Sequence, residues 1–83
     1  MRQGVRVGVD VGTVRIGVAR SDFHGLLATP VETVPRGSGD IARILAIASE
    51  LDALEIIVGL PLALSGARTA STNDATAFAS RLP

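Results

Sequence analysis

The chain has 83 residues, 47% of them hydrophobic, which supports one small domain over residues 1–83 and leaves no room for a second. Cysteine is absent, so a disulfide framework, a thiolate metal site and cysteine redox chemistry are excluded. Eight acidic and eight basic residues cancel, so no net positive field announces a nucleic-acid binder, and two phenylalanines are too few for a base-stacking platform.

In "VRVGVD", Val5, Val7 and Val9 alternate with Arg6, Gly8 and Asp10, the period of a strand, so Asp10 faces away from the valines. "RIGVARS" reads as a second strand, and a hairpin through Gly12 joins the two. Asp22, with Gly25, is expected to turn the chain into a third strand, "LLATPVETV", where Pro30 implies a sheet edge. "PRGSGD" is a loop, with Asp40 the expected N-cap of a helix whose apolar stripe is Ile41, Ile44, Leu45, Ala48 and Leu51. "LEIIVGL" is an almost continuous apolar run, suited to a parallel strand covered on both faces. After a loop, a last helix is expected to start near Ser71 to Asn73, with Ala75, Phe78, Ala79 and Leu82 on one face, Asp74 in its first turn and Arg81 in its last. The uncharged run from Ile56 to Ala67 is interrupted by Pro61 and is short of the roughly 18 residues that span a bilayer. With no signal-peptide core in "MRQGVRVGVD", the expectation is a soluble cytoplasmic protein with no membrane partner.

The order strand, strand, strand, helix, strand, helix gives an α/β fold with three antiparallel strands and a parallel fourth. That plan narrows the choice to ribonuclease H-like mixed sheets and their actin-like relatives. The blocks "VGVDVGTVRIGVARSD", "LLATPVETV", "IIVGLPLALSG" and "ATAFASRL" resemble, in order, the signature blocks of the YqgF family, also called RuvX. Its members are described as Holliday-junction resolvases and pre-16S ribosomal RNA nucleases. The resemblance implies a nuclease acting on structured RNA or branched DNA with Mg2+ or Mn2+. It also implies a longer domain, in which a further strand and helix carry a glutamate and a second aspartate. This chain therefore resembles the N-terminal portion of such a protein, truncated before that strand and helix.

Asp10 is the expected catalytic metal ligand, because a carboxylate at a strand end is held rigidly and offers the hard oxygens that Mg2+ prefers. Gly8 and Gly12 are expected to leave space beside it, while Gly59 and Pro61 shape the cleft. Thr13 and Arg15 match the family block and would hold a phosphate, and Arg68 would reach another from the loop after the fourth strand. Val14 stands where a lysine is frequent, Arg20 where an apolar residue is frequent, and Ser71 where an arginine is usual. Asp22 sits at the far end of the second strand from Asp10. Glu32, Glu50, Asp52, Glu55 and Asp74 read as solvated charges, and His24 as a surface histidine. One carboxylate does not assemble a two-metal centre, so the chain alone is expected to hydrolyse phosphodiesters weakly or not at all. The alternatives are an actin-like hairpin that binds a nucleotide's phosphates, and a non-catalytic interaction module. An unpaired edge on the fourth strand is expected to promote homodimers or other self-association.

Overall fold

A computed structural model describes residues 3–24, 27–61 and 63–83. Gly25 and Leu26, expected to close the turn after the second strand and open the third, lie outside the described residues. The elements are β1 (Arg6–Val11), β2 (Arg15–Ser21), β3 (Ala28–Pro35), α1 (Asp40–Glu50), β4 (Glu55–Val58) and α2 (Ala70–Ser80). They form a four-stranded sheet of order β3-β2-β1-β4, antiparallel except where β1 pairs parallel with β4. This is the mixed α/β sheet expected from the sequence.

Alternation along β1 and β2 decides which face is covered. Val7, Val9, Val11, Ile16, Val18 and Val34 turn to one side and are buried against Ile44 and Ile47 of α1 and Ala75 and Phe78 of α2. Ile47 belongs to this core although the expected stripe omitted it. β3 is an edge strand, as Pro30 requires. A register shift between Val18 and Ala19 leaves Val31 with no opposite residue, since Val18 faces Glu32 and Ala19 faces Pro30.

Three local expectations need correction. β4 is covered on one face only: Ile56 and Val58 pack on the core, whereas Ile57 is 51% exposed on the other side. An apolar run cannot by itself distinguish one covered face from two. Asp40 is the first helical residue of α1 and not its cap. The cap is Gly39, whose positive φ of 91° suits a residue without Cβ, and the Asp40 carboxylate accepts from the backbone N–H groups of Gly37 and Ile41 instead. α2 begins at Ala70, earlier than expected. Thr69 caps it and exchanges hydrogen bonds with Thr72, which places Asp74 beyond the first turn and Arg81 at the C-cap.

Candidate functional site

Asp10 projects from the face of β1 opposite the helices, and its side chain is exposed. Among the described residues its carboxylate has no hydrogen-bond or ion-pair partner. Its flanks are both glycine. Gly17 lies directly opposite on β2, and the parallel register that sets Val9 beside Val58 brings Gly59 alongside Asp10, with the Gly59 N–H donating to the Val9 carbonyl at 3.0 Å. Across Gly17 stands Thr33 of β3. These residues, with Gly8, Ala19 and Ile57, line a shallow groove over the open face. A side chain added at Gly8 would meet nothing within 4 Å, so the floor beside Asp10 is bare backbone.

Gly17 and Thr33 escaped the reading of the sequence, although the hairpin register alone places Gly17 opposite Asp10 once the turn is confined to residues 12–14. Gly12 serves the hairpin turn, as expected, but not the second task of leaving space beside Asp10. A Cβ there would lie 2.6 Å from the Arg15 carbonyl oxygen, so its glycine permits a tight turn, closed by Gly12 N–H to Arg15 O at 3.0 Å, and adds no room for a ligand. Pro61 is absent from the groove lining, and its carbonyl accepts from the buried Thr72 hydroxyl, which ties the loop after β4 to α2.

Arg15, two residues from Gly17 along β2, shares the Asp10 face and is exposed. Thr13 is exposed at the turn, between two small depressions that both include Arg36. Arg68 is drawn away to α2, where its guanidinium donates to Asn73 Oδ1 at 3.1 Å and Thr76 Oγ1 at 3.0 Å. Several acidic residues read as solvated are paired. Glu55 accepts from Arg6 at 2.7 Å, Glu32 from Arg43 at 2.7 Å, and Asp74 from Arg36 at 2.9 Å. Hydrogen bonds from those arginines hold the Glu32 and Asp74 carboxyls below their ordinary values.

Among the described residues no group of three or more histidine, cysteine, aspartate or glutamate side chains could hold a metal ion. An open, unpartnered carboxylate with glycines on both flanks fits one hard-oxygen ligand of Mg2+ or Mn2+ and supplies only part of a coordination shell.

The model of the RuvX family, described as Holliday junction resolvase, matches residues 4–83. The chain belongs to the RuvX family. A protein of Clavibacter michiganensis subsp. michiganensis named "Putative pre-16S rRNA nuclease" is 67% identical over 85 aligned positions, covering 99% of this chain and 53% of its own length. Proteins of the same name from Leifsonia xyli subsp. xyli and Thermobifida fusca are 67% and 56% identical, each across 99% of this chain. This RuvX chain thus spans about half the length of the curated relatives it matches. No helix of the described residues is long and apolar enough to cross a membrane.

Proposed function

We propose that this RuvX chain carries the first carboxylate of a metal-dependent nuclease that hydrolyses phosphodiester bonds in structured nucleic acid, with Asp10 as the ligand. The observation that carries the reading is the carboxylate itself, exposed on a strand, unpartnered among the described residues and flanked by Gly17 and Gly59. A bound Mg2+ or Mn2+ supplies an activated water and neutralises phosphate charge. The protein's share is to fix the Asp10 oxygens, keep Gly8 and Gly17 free of side chains so that a backbone approaches closely, and offer Arg15 and the Thr13 hydroxyl to phosphate oxygens. The names of the relatives favour precursor ribosomal RNA as substrate, and the family description favours a four-way DNA junction. We place either substrate in the cytoplasm, and the outer edge of β4, unpaired among the described residues, favours association with a second copy.

Mn2+ titration of 15N-labelled protein tests the site directly. Broadening is expected first at the amides of Asp10, Gly17 and Gly59, and Asp10→Asn is expected to abolish it. Unbroadened signals at these positions would refute the assignment. Cleavage of a precursor rRNA leader or a four-way junction by the 83-residue chain is expected to be slight, since one carboxylate does not complete a two-ion centre. Robust turnover abolished by Asp10→Asn would show that this chain supplies the remaining ligands.

A further inference from the structure

We propose that Arg36, anchored by Asp74, is a positioning residue that aims the Thr13 backbone N–H at a phosphate oxygen beside Asp10; this rests on the reading of Asp10 as the metal-holding carboxylate. Arg36 follows β3 and grips the β1–β2 turn on both sides of Thr13. Its backbone N–H donates to the Val14 carbonyl at 3.0 Å, and its Nη1 donates to the Gly12 carbonyl at 2.8 Å. The same guanidinium forms a fork with Asp74, Nη1 to Oδ2 at 2.9 Å and Nη2 to Oδ1 at 3.1 Å, and lies 5.3 Å from the centroid of the Phe78 ring. A bidentate carboxylate fixes the plane of the guanidinium and the ring beneath fixes its position, so the hand that holds the turn is itself held.

The consequence follows from peptide geometry. The described peptides are trans, and in a planar trans peptide the C=O and N–H point in opposite directions. With the Gly12 carbonyl turned to Arg36, the Thr13 N–H points away from the guanidinium and from α2 behind it. Because α2 covers the valine face of the sheet and Asp10 projects from the opposite face, that direction leads to the Asp10 side. Among the described residues no acceptor meets the Thr13 N–H, and Thr13 is exposed. A fixed backbone donor three residues along the chain from a metal-binding carboxylate suits a phosphate oxygen, because it costs no side-chain entropy on binding. A surface ion pair kept only for stability would need the Asp74 fork and not the third bond to Gly12.

Titration of the 15N-labelled protein with a structured RNA oligonucleotide in Mg2+ tests this. The Thr13 amide proton is expected to move downfield. Asp74→Asn and Arg36→Lys are each expected to weaken binding about three- to tenfold, the scale of one hydrogen bond, and to erase the Thr13 shift. Glu50→Gln, which breaks the exposed Arg43–Glu50 pair on α1, away from the groove and the turn, is expected to change neither. Should Arg36→Lys fail to fold, Asp74→Asn carries the test alone, since it leaves the turn residues untouched. The proposal is overturned if the variants weaken binding no more than Glu50→Gln, or if Thr13 stays still while the Asp10 amide responds. If neither amide responds, the Asp10 reading has failed and the proposal falls with it.

Discussion

Asp10 stands opposite Gly17 in the β1–β2 ladder, and a Cβ placed at position 17 would lie 3.8 Å from the Asp10 Cβ, an ordinary van der Waals contact. Gly17→Val is therefore compatible with the fold, and a β-branched residue in a strand is favourable in itself. Its methyl groups would nevertheless crowd the carboxylate on the side where an ion and a phosphate must approach. Unchanged or raised stability in urea is expected, together with weaker Mn2+ broadening at Asp10. Broadening equal to that of the parent would show that the ion approaches from the Gly59 side.

Two glycines that look alike in the sequence should respond oppositely to alanine. At Gly12 the new Cβ meets the Arg15 carbonyl oxygen at 2.6 Å, and a backbone atom cannot swing aside as a side-chain tip does. At Gly8 it meets nothing within 4 Å. Gly12→Ala is expected to cost about 1–3 kcal/mol, the range for overpacking. Gly8→Ala is expected to stay within about 0.5 kcal/mol of the parent, as surface changes do. Urea denaturation of the two variants side by side decides it.

The features legible in the sequence were those that local pattern fixes. Val7 and Val9 on one face and Asp10 on the other follow from strand periodicity, and Pro30 at an edge follows from its missing N–H. What escaped depends on register and on distant partners. Gly17 joins Asp10 only through hairpin alignment, and Gly59 only through a parallel pairing across more than forty intervening residues. The pairing of Arg36 with Asp74 joins the end of β3 to a helix, so Asp74 read as a solvated charge when it is a partner. Asp40 was misplaced by one position because Gly39 supplies the backbone conformation that the cap takes there.

The buried Thr72 hydroxyl connects the loop after β4 to α2. It accepts from the Thr69 N–H at 3.0 Å and donates to the Pro61 carbonyl. Thr72→Val keeps the shape but leaves both groups without that partner, at an expected cost of about 1–3 kcal/mol. Thr72→Ser keeps the hydroxyl and gives up one methyl, about 0.8 kcal/mol. Serine should therefore be the milder change in urea denaturation. Faster amide exchange at Leu60 and Ala63 in the valine variant only would locate the loss in the loop, and equal exchange in both would place the contribution of Thr72 in packing.

Asp40 gives the fold a pH dependence of definite sign. Burial alone would push its carboxyl upward, but the backbone N–H groups of Gly37 and Ile41, with Arg81 and Arg36 beyond them, outweigh burial and hold it below the ordinary 3.8. The native carboxylate therefore binds fewer protons than the unfolded one. Its contribution is fully present above the unfolded value and is lost as pH falls through the lower folded value. Asp74 and Glu32, also depressed, add to the same trend. Asp40→Asn removes the ionisable group and is expected to cost about 1–3 kcal/mol at pH 7. The gap between parent and variant should stay constant down to about pH 4 and narrow below it, as the parent loses what the variant never had. Urea denaturation across that range measures the gap, and one that holds constant to pH 2 would mean that the folded carboxyl is no more acidic than the unfolded.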